Sequence, residues 1–435
     1  ANAYSNLGNI YRDLGKLKEA EISTRKAIEL KPDFANAYLN LGNILQDLGK
    51  LKEAEISQLK AIELNPNNAK AHSNHGNILK DLGKLKEAEV SLRKAIKLNP
   101  FDANAYSNLG GILNELGKLA EAEVSTREAI KLDPNFAIAH SNLGVILKEL
   151  GKTKEAEVSA QKAIQLKHDF AEAHANVGNI FIDLGKLKEA EISLLKAIQL
   201  NPDCSMAYYS LSTLKHSNNS KIWKEKLFSK SFLNNKSKKE KVDIYFARAN
   251  FHHKQKDYKE SAKCLQLANR LKLDLYPSNS DILINKSNLL IFEAAKSALI
   301  KQEYENPPES IFILGMLRSG STLLESILSM NTNVNALGEI NILEESYIDS
   351  KKTNKNLSLT ELYWEKLNNH SNKSRITTNK YLYNYQYAGI IASQIPNAKI
   401  IHCFRNPLDN ILSIYRANFY KGNEYSSSLI DSTNV

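Results

Sequence analysis

Residues 1–34 read ANAYSNLGNIYRDLGKLKEAEISTRKAIELKPDF, and residues 35–68 read ANAYLNLGNILQDLGKLKEAEISQLKAIELNPNN, the same sentence with a few words changed. The period of 34 residues continues, with units opening at Ala1, Ala35, Ala69, Ala103, Ala137 and Ala171. Gly holds the eighth place from Gly8 to Gly178. Ala holds the twentieth from Ala20 to Ala190 and the twenty-seventh from Ala27 to Ala197. Pro closes five of the six units, and His168 stands in for the other. A fixed period of this length marks stacked supersecondary units. Each unit reads as two amphipathic helices broken by a D/E-L-G-K turn, with small residues where helix backbones must come close.

This pattern resembles the tetratricopeptide repeat. The resemblance implies helical hairpins that stack into a right-handed superhelix with the first helices lining a concave side, a binding surface by default. Asn occupies the sixth place of every unit (Asn6, Asn40, Asn74, Asn108, Asn142, Asn176). A side-chain amide donates and accepts, so a row of them could hold an extended peptide whatever its sequence; the competing reading is plain repeat consensus. His72, His140 and His174 take the fourth place, where Tyr4, Tyr38 and Tyr106 stand elsewhere, and read as packing residues rather than metal ligands.

At 435 residues the chain has room for two or three domains, and 42% hydrophobic with 24% charged residues is a globular composition. Three scattered cysteines make neither a disulfide framework nor a zinc site, which favours a reducing, cytoplasmic location. No apolar run is long enough to span a bilayer. The net charge of +10 suggests a polyanion partner until it is located. Residues 1–204 carry 27 Lys and Arg against 27 Asp and Glu; residues 205–272 carry 16 against 5; residues 273–435 carry 15 against 16. The excess is confined to a Lys/Ser/Asn-rich connector without the interleaved aromatics or motif of a nucleic-acid binder, so neither nucleic acid nor membrane is expected as a partner. Within it, residues 242–275 carry a degenerate further repeat. Helices over 281–303 then lead to the breaker Asn306-Pro307-Pro308.

After the breaker comes an apolar run, Ser310-Ile-Phe-Ile-Leu314, then Gly315-Met-Leu-Arg318-Ser319-Gly320-Ser321-Thr322, then a helical stretch from Leu323. Strand, glycine loop and helix form an architecture in which backbone amides and a helix N-terminus hold an anion. The spacing approaches the nucleotide-triphosphatase loop, but Ser321 stands where the lysine belongs, and a γ-phosphate would lose its main counter-charge. ATP or GTP hydrolysis is therefore not expected. Downstream, Ala398-Lys-Ile-Ile-His-Cys-Phe404 reads as a strand, with Arg405 at its end, Pro407 at a helix start and Ser413 one helix face along.

Arg318-Ser319-Gly320-Ser321-Thr322-Leu323 resembles the 5′-phosphosulfate loop of sulfotransferases, with Leu317 replacing the usual Pro and Ser321 the usual first Thr. Arg405 and Ser413 match the element that grips the nucleotide 3′-phosphate. Asn335-Ala-Leu-Gly-Glu339 and Thr378-Asn-Lys380-Tyr-Leu-Tyr-Asn384 are similar to the segments of protein-tyrosine sulfotransferases that supply a general base and a transition-state lysine, although Leu382 replaces a Pro. The resemblance implies an adenine-nucleotide co-substrate, 3′-phosphoadenosine 5′-phosphosulfate (PAPS), and no metal. It assigns catalysis to Glu339, Arg318 and Lys380, and PAPS binding to Arg318, Ser319, Gly320, Ser321, Thr322, Arg405 and Ser413.

The expected architecture is an α superhelix over 1–204, a basic helical connector over 205–305, and over 306–435 an α/β, P-loop-like parallel sheet. The last is expected to be the amino-terminal part of a sulfotransferase domain, truncated at its carboxyl end. The expected function is sulfuryl transfer to a protein or peptide acceptor, at tyrosine, presented in the repeat groove. The alternatives are a carbohydrate acceptor, which would share the nucleotide elements, or a repeat scaffold with an inert transferase portion.

Overall fold

A computed structural model describes residues 1–214, 220–234, 236–296, 307–352, 357–368, 376–419 and 423–435. Asn306 of the breaker, residues 297–303 of the expected helices, and residues 215–219 and 235 of the 215–241 stretch lie outside them. The chain divides into two compact units, Ala1–Asn218 and Asn219–Val435.

In the first unit, twelve helices run in pairs from Asn2–Asp13 and Leu17–Leu30 to Ala171–Asp183 and Leu187–Leu200, followed by Ser205–Thr213. The turn glycine ends each first helix. Gly15 sits at φ 72°, its amide donates to the Arg12 carbonyl, and the Lys16 amide reaches back to Tyr11, satisfying two carbonyls that the helix leaves open. The eighth-place glycine serves packing instead: a Cβ on Gly110 would lie 2.1 Å from Thr126 Oγ1. Ala20, Ala27 and their counterparts are buried throughout. At the fourth place, a ring nitrogen of His72, His140 or His174 pairs with the carbonyl of Pro66, Pro134 or His168 at 3.0 Å, as Tyr208 does with Pro202. These rings tie each hairpin to the turn before it. The even charge count also has a structural basis. Glu21, Glu55, Glu89, Glu123 and Glu157 each meet the lysine that opens the next unit's second helix, at 2.7–2.9 Å.

In the second unit, helices Lys238–Lys254 and Tyr258–Leu275 pack as a hairpin, the first opened by a capping box between Ser237 and Glu240. Four parallel strands follow: β1 (Glu309–Leu314), β2 (Val334–Ala336), β3 (Ile376–Asn379) and β4 (Ala398–His402), in the spatial order β2-β3-β1-β4. A core that includes Phe312, Leu314, Leu343, Tyr363, Tyr387 and Ile391 covers one part of the sheet. The hairpin belongs to the same compact unit as the sheet. Asn269 donates to the Tyr415 carbonyl at 3.0 Å, and Asn418 donates to the buried Asp243 at 3.1 Å.

The strand order positions the site. The chain leaves β1 toward β2 and β3 on one side, then crosses to β4 on the other, so the carboxyl ends of β1 and β4 form a topological switch point. Parallel α/β sheets bind ligands at such a switch point.

Candidate active site at the carboxyl ends of the strands

The loop after β1 is shaped by one close approach. A Cβ on Gly315 would stand 2.7 Å from both the Cys403 carbonyl and Ser319 Oγ, so only glycine lets the loop lie against the end of β4. Arg318 takes the left-handed conformation, φ 68°, an arrangement that costs on the order of 1–3 kcal/mol and persists where surroundings hold it. What holds it comes from 87 and 95 residues away. Arg405 Nη1 donates to the Arg318 carbonyl at 3.3 Å, and Arg318 Nε donates to Ser413 Oγ at 3.3 Å. Two segments that the sequence reading joined only by resemblance thus meet in the crevice between β1 and β4.

Gly320, φ 105°, caps the helix Ser321–Leu328. The amides of Ser321, Thr322 and Leu323 lie in its first turn, where no carbonyl one turn back exists to receive them. Ser319 Oγ is buried with no hydrogen-bond partner among the described residues. A buried hydroxyl is rarely left unpaired, so the orphan fits a loop built around a bound anion. With two exposed guanidinium groups at the rim, the donor set suits a phosphate- or sulfate-bearing nucleotide.

A second cluster forms where β2 and β3 end side by side. The Leu337 amide donates to the Thr378 carbonyl at 2.9 Å, and the Lys380 amide donates to that of Gly338 at 3.0 Å, so Glu339 and Lys380 leave the sheet together. Lys380 Nζ meets Glu339 Oε1 at 2.7 Å; the Lys380 side chain is 9% exposed and that of Glu339 66%. Asn379 accepts from the buried Asn384 at 2.7 Å and from the Tyr381 amide at 3.0 Å, fixing the turn after Lys380. Burial, with Glu344, Glu345 and Glu339 nearby, pushes the Tyr381 hydroxyl up to about 12. Burial likewise raises the Cys403 thiol.

One residue escaped the sequence reading. Glu325, on the helix that follows the glycine loop, is 5% exposed, with Oε1 accepting from Thr378 Oγ1 at 2.9 Å and from the Gly338 amide at 3.1 Å. Its Oε2 lies 4.0 Å from Lys380 Nζ. The signal was present: a single acid inside the apolar run Leu323-Leu-Glu-Ser-Ile-Leu328 needs a reason to be there.

In the array, Asn40, Asn142 and Asn176 each donate one amide hydrogen to a serine of the preceding first helix, Ser5, Ser107 and Ser141, at 3.0–3.2 Å. Asn74 donates to Asn43 at 2.8 Å, because the preceding fifth place is Leu39 and offers no hydroxyl. Among the described residues Asn6 and Asn108 make no such bond. The row therefore staples neighbouring units, and each stapled amide keeps a second hydrogen and its oxygen. Among the described residues no three or more His, Cys, Asp or Glu side chains gather as a metal-binding group, and no helix is long and apolar enough to cross a membrane.

Comparison with known proteins finds family matches along the chain. Residues 308–434 match the sulfotransferase family, and residues 242–274 match the tetratricopeptide repeat. Residues 1–211 match a family described as the C-terminal domain of cilia and flagella-associated protein 70. An uncharacterized protein of Aquifex aeolicus is 28% identical over 188 residues, 38% of this chain and 25% of that one, so the match spans about a quarter of the relative's length. Among solved structures, YrrB, described as a TPR protein with an unusual peptide-binding site, is 26% identical at TM-score 0.34, covering 43% of this chain and 97% of YrrB. PilF of Pseudomonas aeruginosa is 23% identical at TM-score 0.43, covering 49% and 96%. The chain thus carries tetratricopeptide repeats and, at residues 308–434, a domain of the sulfotransferase family.

Proposed function

We propose that this chain transfers a sulfuryl group from PAPS to a tyrosine hydroxyl of a protein or peptide acceptor, with the array over 1–204 presenting the acceptor and the connector over 205–305 leading to the transferase portion over 306–435. The observation that carries the reading is the meeting of Arg318, Ser413 and Arg405 across the β1–β4 crevice, beside a glycine loop with an orphaned buried hydroxyl.

In this reading Ser319, Gly320, Ser321 and Thr322, with the first amides of their helix, hold the 5′ end of the nucleotide, while Arg405 and Ser413 hold its 3′-phosphate. The bound donor supplies an activated sulfuryl group and a phosphate leaving group, chemistry that resembles phosphoryl transfer and depends mainly on positioning and electrostatics. A phenol with an ordinary pKa near 10 needs a base at neutral pH. Glu339 is the carboxylate open to an approaching acceptor, and Lys380 beside it, with Arg318, faces the negative charge that develops on the leaving group. The reading calls for no metal. The remaining amide groups of Asn6, Asn40, Asn74, Asn108, Asn142 and Asn176 give the array a means of holding peptide backbone. A reducing cytoplasmic location is in keeping with Cys204, Cys264 and Cys403 forming no disulfide.

The test is product analysis with radiolabelled PAPS and the full chain, offered tyrosine peptides and glycans side by side. Labelled tyrosine is expected, reduced about a hundredfold or more by Glu339→Gln. Label on glycans alone would remove the tyrosine assignment, and no label on either would favour a binding scaffold.

A further inference from the structure

The function proposed above asks two things of Lys380 that conflict. It must face the donor's leaving group, yet its ammonium is ion-paired with Glu339, the carboxylate that must receive the acceptor's proton. Lys380 can release Glu339 only if something else keeps its charge and position. Resting on that reading, we propose that Glu325 is the positioning residue that does so: a fixed, buried counter-charge that retains Lys380 at the end of β3 while Glu339 turns to the acceptor.

The contrast between the two carboxylates supports this assignment. The Glu339 side chain is 66% exposed, whereas that of Glu325 is 7% exposed. A buried carboxylate is tolerated when hydrogen bonds and an opposite charge compensate it. Both of Glu325's hydrogen bonds fall on Oε1, from Thr378 and Gly338, which orients the side chain and leaves Oε2 toward Lys380. The groups bonding to Oε1 are informative. Thr378 lies two residues before Lys380 on β3, Gly338 immediately precedes Glu339, and Glu325 itself lies on the helix whose first turn would hold the donor. A single side chain therefore links the donor loop, the base and the lysine. Occupation of the loop can bear on the Lys380–Glu339 pair through that helix without either catalytic group touching the loop.

Removing the Glu325 charge while keeping its shape should act on Lys380 in a way that is measurable without turnover. In the full chain, acylation of Lys380 by acetic anhydride at one fixed pH, followed by peptide mass spectrometry, should be severalfold faster in Glu325→Gln, because the ammonium loses the buried carboxylate that retains it. An unchanged rate in a folded Glu325→Gln protein overturns the proposal. Should that variant fail to fold, Glu339→Gln gives the converse reading: acylation of Lys380 should stay within about twofold of its rate in the unmutated chain and below that of exposed lysines such as Lys399, since Glu325 still holds it. Reactivity equal to theirs overturns the proposal equally. Where turnover is measurable, Glu325→Gln is expected to lower kcat about tenfold or more, leave the affinity for adenosine 3′,5′-bisphosphate within about twofold, and move the pH–rate profile to lower pH. A fall in kcat with an unmoved profile would mark Glu325 as a structural residue and overturn the assignment. Failure of the sulfotransfer reading itself would appear as absent turnover in the unmutated chain, whatever the labelling shows.

Discussion

The repeat array and the crevice use the same kinds of side chain in opposite ways. In the array every task is repeated: carboxylates meet lysines at five successive joints, and asparagines staple one first helix to the next. In the crevice each polar group occurs once. Arg318 is held in a strained conformation, and Ser319 keeps a buried hydroxyl unpaired among the described residues. Redundancy suits a scaffold whose stability is roughly a sum over neighbouring units, so that no single pair matters much. A binding site instead leaves polar capacity for its ligand, and each loss should be felt in full.

The largest effect should follow from the crevice. Arg405→Ala removes both a phosphate-binding guanidinium and the hydrogen bond that helps hold Arg318 in its left-handed conformation. A charge-assisted contact of this kind is worth about 1.5–3 kcal/mol, so affinity for adenosine 3′,5′-bisphosphate, measured by titration calorimetry on the full chain, should fall ten- to a hundredfold. An affinity unchanged by the substitution would mean that the segments after β1 and β4 do not share a ligand.

What could be read in the sequence follows the same divide. Periodicity exposed the hairpins, because six repetitions of Gly and Ala at fixed places leave little room for accident. It showed the asparagines in a row without showing that Asn142 reaches Ser107, a contact that exists only once the first helices stack. The β1 loop was legible as strand, glycines and helix start, since that order is written in consecutive residues; that Gly315 must clear the Cys403 carbonyl was not. The partners of Glu325 were not, because they come from two separate segments, Gly338 after β2 and Thr378 with Lys380 at the end of β3, and nothing in their spacing encodes the encounter. The bond from Asn269 to the Tyr415 carbonyl spans 146 residues and is equally silent in sequence. Sequence patterns report what recurs or what is local, and the second unit is built largely from contacts that are neither.

An effect no larger, on stability rather than on binding, is expected at Lys272, one of 16 basic residues over 205–272 and indistinguishable there from solvated lysines. It is 4% exposed, and its ammonium has no hydrogen-bond partner among the described residues. Burial, opposed weakly by Glu424, pulls its pKa down to about 8. Between pH 8 and the ordinary lysine value the unfolded chain binds more protons than the folded one, so stability rises with pH across that window. Below it the folded state carries the whole cost of the buried charge, roughly 3 kcal/mol. Lys272→Met should therefore raise the melting temperature of the second unit at pH 7, and the advantage should shrink as the pH approaches 10. A variant that melts earlier than the parent at pH 7 would show that the ammonium has a partner and a purpose.

The smallest effect should come from the array. Burial works against ionised Glu89, and its hydrogen bonds and charge pairing with Lys118 and Arg93 outweigh it, so the carboxyl sits below its ordinary pKa. A depressed carboxylate stabilises above its unfolded pKa and loses that contribution as pH falls through the folded value. Lys118 and Arg93 are nearly half exposed, however, and solvent screens both partners. Glu89→Gln should then cost no more than about 0.5 kcal/mol at pH 7, and less as the pH falls below the ordinary carboxylate value, as read by urea denaturation. A loss above about 2 kcal/mol would break the contrast with the crevice: it would mean that one joint of a repeated ladder carries the weight of a singular site, and that the array's redundancy is one of sequence rather than of energy.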